Sequence, residues 1–332
     1  MSISREFLML IEESAFLTPN ATPVVWPTAS ANCFYLRLDG ANAFSMRPRP
    51  AQVPIMYGGG VNVEAQRIAD KWDCTGTLRQ MLWPGQVSAF LLAWAGNRIT
   101  GGTSPWTTTE INGDLASVAC YHGIIDAAGN TKRRVYLGTK VKSWSLTIGE
   151  NSPIAMLTLN LVASTPQGNT VDSSSDPTAG TFPVPTDAQL PLGPYIFFHA
   201  GTSGAGLYIG AQRTKFQSLT ISCDTDMIHR FWTSHFVQLQ RMTGRHATLT
   251  AEQLYTVGAT DDRYEYENLV AQTPVTFKLN NGANTCQIDM KSTSVFTEVE
   301  DMLPQNDLYL QRTTITNLWD ATAGTDFVWT FS

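Results

Sequence analysis

The segment from Val141 to Ala163, VKSWSLTIGENSPIAMLTLNLVA, alternates side-chain character with a period of two on both sides of a turn signal at Gly149 to Pro153. Successive side chains of a strand point to opposite faces, so the pattern predicts a two-stranded ribbon with one face buried. The first strand sets Lys142, Trp144, Leu146 and Ile148 against Val141, Ser143, Ser145 and Thr147. The second sets Ala155, Leu157, Leu159, Leu161 and Ala163 against Met156, Thr158, Asn160 and Val162. Arg312 to Trp319 and Phe327 to Phe331, joined through an Ala/Gly/Asp turn, read as a second ribbon of the same kind. A chain that closes each half alike points to an internal duplication.

The remaining elements recur in one order. Residues 1–30 read as an N-terminal arm, because Pro19, Pro23 and Pro27 break any helix after a short amphipathic start. The first half, residues 31–163, opens with a hairpin: Cys33 to Leu38, a turn at Asp39-Gly40, and Ala43 to Arg47. A long Pro/Gly loop from Pro48 to Gly60 leads to strand material between Val61 and Leu82. Pro84 then opens a helix in which Val87, Phe90, Leu91 and Trp94 share one face. A Gly/Thr-rich loop, a hairpin from Val118 to Leu137 turning at Asp126 to Asn130, and the ribbon complete the half. Residues 164–192 are rich in Pro, Ser, Thr and Asp and read as a linker.

The second half, residues 193–332, repeats that order. Its hairpin spans Phe216 to Trp232 with a turn at Asp224-Thr225-Asp226, and a strand follows around His246 to Tyr255. Thr260, with Asp261 and Asp262 behind it, caps a short helix. A hairpin turning at Asn281-Gly282 sets Val275, Phe277 and Leu279 against Cys286, Ile288 and Met290 before the closing ribbon. The best literal match lies out of phase with this order: Tyr136-Leu137-Gly138 leading to Ser145-Leu146-Thr147-Ile148, and Tyr208-Ile209-Gly210 leading to Ser218-Leu219-Thr220-Ile221. It therefore reflects similar strand chemistry, and the duplication rests on element order.

Composition narrows function more than it names one. The 332 residues are long enough for two cores. Charged residues make up only 15% and the net charge is −6, so a basic surface for gripping nucleic acid is not expected. The five cysteines are far apart with no Cys-x-x-Cys, and read as buried reduced thiols. The five histidines stand in no metal-ligand spacing, and Gly201 to Gly206 lacks the Gly-Lys-Ser/Thr of a phosphate cradle. No Gly-x-Ser-x-Gly elbow is present. We therefore expect no catalytic, cofactor-binding or metal residues and no enzyme. No apolar run reaches the roughly 18 residues of a membrane span, and none is expected. Nine tryptophans and fifteen phenylalanines fit sheet cores and interfaces. Aromatic loop segments around Trp83, Trp106 and Phe231-Trp232 are interface candidates, and the basic run Lys132-Arg133-Arg134 reads as a solvated turn, with a subunit salt bridge as the functional alternative.

The start Ser4-Arg5-Glu6-Phe7 to Glu13, Tyr136-Leu137-Gly138 into Trp144 to Ile148, the turn Gly149 to Pro153, and Ala155 to Ala163 together resemble the tail tube (major tail) proteins of long-tailed bacteriophages, in their two-domain, duplicated form. The resemblance implies a mainly β protein of two tandem β-sandwich or partial-barrel domains, each with one flanking helix, plus the N-terminal arm. It implies rings of three copies with pseudo-sixfold symmetry, stacked head to tail into a hollow tube through which phage DNA is delivered without specific binding. Tape-measure and tail-terminator proteins would be partners, and the protein would be made in the bacterial cytoplasm and reside in the virion tail. The loops at Pro48 to Gly60 and Thr233 to Arg245 would reach neighbours. Candidate contacts are then Arg5 and Phe7 in the arm, Arg47, Arg49, Ile55 and Tyr57 around the first loop, Trp106, Arg133 and Arg134 in the first half, and Phe231, Trp232 and Arg241 in the second. A capsid decoration or tail-completion protein would share the β-sandwich character, and a carbohydrate-binding module would share the aromatic content.

Overall fold

The computed structural model describes residues 5–20, 24–25, 28, 31–38, 42–54, 67–82, 86–95, 97–99, 106–110, 116–125, 131–149, 152–170, 185, 205–210, 212–214, 216–230, 239–254, 274–280, 285–290, 294–301, 310–317 and 328–331. Nearly all of these are strand. The first half contributes β1 (Arg5–Ala15), β2 (Thr18–Pro19), β3 (Cys33–Arg37), β4 (Ala43–Pro54), β5 (Arg67–Met81), α1 (Gln86–Trp94), β6 (Asn97–Ile99), β7 (Trp106–Glu110), β8 (Val118–Ile125), β9 (Thr131–Gly149), β10 (Ser152–Ala163) and β11 (Thr165–Thr170). The second contributes β12 (Gly206–Ile209), β13 (Gln212–Thr214), β14 (Phe216–Arg230), β15 (Leu239–Leu254), β16 (Val275–Asn280), β17 (Thr285–Met290), β18 (Ser294–Asp301), β19 (Leu310–Asn317) and β20 (Val328–Phe331).

Two sheets hold these strands. The larger has thirteen, and its main path runs β18-β19-β15-β14-β9-β10-β5-β4. The smaller has seven, in the order β13-β12-β16-β17-β20-β7-β6. Within this arrangement one order of pairing occurs twice. In the first half β4 pairs β5, β5 pairs β10 and β10 pairs β9; in the second β14 pairs β15, β15 pairs β19 and β19 pairs β18. The flanking strands repeat too. The first half has β3-β1-β8-β9-β11 and the second β13-β12-β16-β17-β20. The long β9 does alone what β17 and β18 do together.

Core packing explains why β9 can serve two ladders. Gly138 stands at φ 61° where the strand passes from its β8 and β11 partners to β10. An added Cβ there would run into Leu17, Phe16 and Ser164, so only glycine fits the change of direction. Beyond it Trp144, Leu146 and Ile148 are buried. Trp144 meets Trp329 of β20 with ring centroids 5.3 Å apart, which ties the larger sheet to the smaller. Helix α1 is the one described helix and buries Val87, Leu91 and Trp94, with the Trp94 indole donating to the Thr139 carbonyl at 3.2 Å. Its Phe90 stacks on Phe34 at 4.3 Å.

Several expectations differ from this structure. The predicted arm contains β1, paired with β3 on one side and β8 on the other. Leu8 and Leu10 join the main core, while Phe7, Met9 and Ile11 join a second cluster with Tyr35, Tyr121 and Val135. Phe7 lies across Gly123, where any Cβ would collide with its ring, so it is a core residue and not a contact on a detachable arm.

The predicted hairpin of β3 with β4 does not form, since β3 pairs β1 and β4 pairs β5. β4 continues to Pro54 through the first part of the predicted loop, and β15 begins at Leu239 within the other predicted loop. Asp224-Thr225-Asp226 is not a turn: β14 runs through it, with Thr225 buried and both aspartates exposed. The closing ribbon also separates. β19 enters the larger sheet and β20 the smaller. The start of the predicted linker is β11, paired with β9. The short helix predicted at Thr260 lies outside the described residues.

In the ribbon itself, β9 and β10 pair as expected, with two irregularities, one beside the turn between Ser152 and Met156 and one at Lys142. Lys142 is an extra residue between Val141, opposite Leu161, and Ser143, opposite Asn160. This bulge shifts the alternation by one, so Val141 is buried and Lys142 exposed. Because β1 is buried on both faces, deleting residues 1–15 should abolish cooperative thermal unfolding followed by circular dichroism. Phe7→Ala should cost about 3–5 kcal/mol in denaturant titration.

Candidate functional site

The two halves meet along β14 and β9. Seven residues of β14, Ser218 to Asp224, pair antiparallel with Gly149 to Ser143 of β9. The two Ser-Leu-Thr-Ile segments of the sequence are direct partners here: Leu219 faces Ile148, Thr220 faces Thr147 and Ile221 faces Leu146. Their apolar side chains are buried. On the other face, Thr314, Thr250, Thr220 and Thr147 form one register row across four strands. Neighbouring hydroxyls and amides close on one another, with Ser222 and Thr248 2.9 Å apart and Asn160 donating to Ser143 at 2.7 Å. Such cross-strand pairs are worth roughly 0.2–1 kcal/mol each. A second junction joins the halves in the smaller sheet, where β20 pairs β7.

Matching the repeats strand by strand puts β14 where β4 stands, and the second part of β9 where β18 stands. The joint therefore uses one edge of β14 and one edge of β9. Among the described residues, the equivalent edges of β4 and β18 are the two ends of the main path. Their chemistry is opposite. β4, AFSMRPRPAQVP, carries Arg47 and Arg49 and no acid; β18, SVFTEVED, carries Glu298, Glu300 and Asp301 and no base. Arg47, Glu298 and Glu300 are exposed.

Two internal marks fix the match between halves. β18 has a bulge like that of β9: Thr297 is extra between Phe296, opposite Ile315, and Glu298, opposite Thr314. Gln80 and Gln253 then fall at equivalent positions, opposite Leu157 and Gln311, respectively. Both are buried, and neither amide finds a hydrogen-bond partner among the described residues.

Beside β18, Arg312 donates to Glu252 at 2.9 Å and lies 3.5 Å from Glu300. The Ser218 hydroxyl donates to the second Glu252 oxygen at 2.7 Å. The Ser218 hydrogen bond and then Arg312 hold the Glu252 carboxyl below the usual carboxylate range. An open depression of about 390 Å³ on the same face is lined by Arg47, Lys142, Thr75, Thr77 and Asn160.

The predicted contacts scatter over this frame. Arg47 and Arg49 lie on the open strand β4. Arg5 begins β1, opposite Ile125. Trp106 is on β7 opposite Phe331, in a strand paired on both sides within the chain. Arg133 and Arg134 are on β9 opposite Gly123 and His122, and Arg134 is exposed. Arg241 is on β15 opposite Ile228. Ile55, Tyr57, Trp83, Phe231 and Trp232 lie outside the described residues. Sequence reasoning missed Glu298 and Glu300; the alternation Glu-Val-Glu at the end of a strand was their signal.

No group of potential metal ligands occurs among the described residues. Compared with protein-family models and with curated proteins, the sequence finds no match.

All five cysteines are buried and none is in a disulfide, and burial pushes the Cys33 thiol up to about 12 and raises those of Cys120 and Cys286 as well. They should resist alkylation at pH 8 in the native protein and react fully in denaturant. For Glu252 the folded state binds its proton less readily than the unfolded chain. Its contribution is full above the ordinary carboxylate range and is lost as pH falls through the depressed folded value. Melting temperature should thus fall less steeply in Glu252→Gln than in the parent between pH 7 and about pH 3.

Proposed function

We propose that this protein is a structural subunit that assembles into stacked rings forming the hollow tail tube of a long-tailed bacteriophage, through which DNA passes. One observation carries the reading. The same strand order occurs twice, its two copies are joined through β14 and β9, and the equivalent edges of β4 and β18 are left at the ends of the path. A joint that has been made once inside the chain can be made again between chains. It is heterologous, since one surface meets a different one, and such joints close into rings when the rotation per step allows.

On this reading each half is one tube unit, a sandwich or partial barrel with a flanking helix. Three copies give six units around the ring and a pseudo-sixfold wall. The hydroxyl-rich face of the main path, with Arg312 neutralised by Glu252 and Glu300, suits a surface along which a polyanion slides without being held. Tape-measure and tail-terminator proteins are the partners this role requires.

Negative-stain electron microscopy and native mass measurement of the purified full chain test the proposal. Rings of three copies, or tubes built from them, are the expected result. A protein that remains monomeric at millimolar concentration and instead binds an immobilised glycan would overturn it.

A further inference from the structure

The internal joint also specifies the register and chemistry of the external one. We propose that β4 of one copy adds antiparallel to β18 of a second copy in the register that β14 and β9 use within the chain, setting Arg47 opposite Glu300 and Arg49 opposite Glu298. This rests on the tube reading for the claim that copies meet head to tail; the register comes from the repeat.

Counting from the matched bulges, Glu298 stands where Ser143 stands and Glu300 where Ser145 stands. On the other side, Leu78 and Ala251 are equivalent because each lies two residues before the matched glutamines Gln80 and Gln253. Their outer partners are Phe44 and Leu219, which makes Arg47 the equivalent of Ser222 and Arg49 that of Asp224. Within the chain Ser222 pairs Ser145 and Asp224 pairs Ser143. Transferring those pairs to the open edges gives Arg47 with Glu300 and Arg49 with Glu298.

The internal joint has three serines and Asp224 at these positions, whereas the external one has two pairs of opposite charge. Charges on an edge strand ordinarily keep it from pairing. Here they keep it from pairing with itself: two β4 edges would oppose arginines, and two β18 edges would oppose glutamates. Only the heterologous pair brings opposite signs together. Pro48 and Pro50 have no N–H to give, so within β4 they occupy positions whose donors would face away from β5. The outer edge therefore donates from Phe44, Met46 and Gln52, with no donor at Pro48, Pro50 or Pro54, and the ladder is interrupted. Side-chain charge then carries a large share of the attraction, and Glu300 remains 57% exposed beside Arg312 and available to a second cation.

Three full-length variants test this against wild type: Arg47→Glu/Arg49→Glu, Glu298→Lys/Glu300→Lys, and the chain carrying all four changes. Ring formation is followed by light scattering and electron microscopy, with circular dichroism confirming the fold. Each two-site reversal should raise the concentration needed for assembly about tenfold, and the four-site swap should restore it to within about twofold. In a separate variant, Arg47→Cys with Glu300→Cys should give interchain disulfides on oxidation of assembled rings, in a ladder ending at three copies, while the buried native thiols stay silent. Wild-type rings with reversals that assemble unchanged, or with no 47–300 cross-link, would overturn the register and leave the tube reading standing. Absence of any wild-type ring would overturn both.

Discussion

A strand edge is a row of backbone donors and acceptors that must be paired or left to water, and the pairing of β14 with β9 satisfies one such row inside the chain. The rest of the architecture follows from that joint. It aligns two copies of one strand order side by side, makes them a continuous sheet, and places an arginine edge at one end and a glutamate edge at the other. The same backbone geometry that unites the halves thus defines what the outermost strands can accept.

Bulges and glycines give the joint its register. Lys142 and Thr297 each interrupt a ladder at the equivalent point, and each re-aims the residues beyond it. Gly138 lets β9 leave one set of partners for another without breaking, whereas the second half makes the same change between β17 and β18. The Tyr-Leu-Gly and Tyr-Ile-Gly sequences both end in glycines at φ 61°, yet they lie at non-equivalent places in the repeat. Local backbone chemistry recurs there without common position.

What was legible depended on whether a strand had one apolar face or two. The hairpins of β8 with β9 and β16 with β17, the β9 and β10 ribbon and helix α1 all follow their periodicity. The run Phe7-Leu8-Met9-Leu10-Ile11 has no alternation because both faces of β1 are buried, so it gave no period to read. In β14, Asp224 and Asp226 carry turn chemistry but stand on the outward side of Thr225, and Asp226 faces His246 at 3.7 Å. There the ladder overrode a local preference. Of the candidate site, the arginines of β4 were visible as charged residues near a loop, but their glutamate counterparts lie some 250 residues away in sequence, beyond any local pattern.

The sequence by itself determined the β character of the chain, the single-face ribbon of β9 and β10, and the buried thiols. Those features depend on neighbours a few residues apart, and spacing encodes them. Only the tertiary structure decided which strands are partners. β19 and β20 follow one another as a ribbon would, yet enter different sheets, and the two Ser-Leu-Thr-Ile segments become neighbours across the joint. Strand pairing is a choice among edges of nearly equal backbone chemistry, and it is settled by how the whole set of apolar faces can be buried at once.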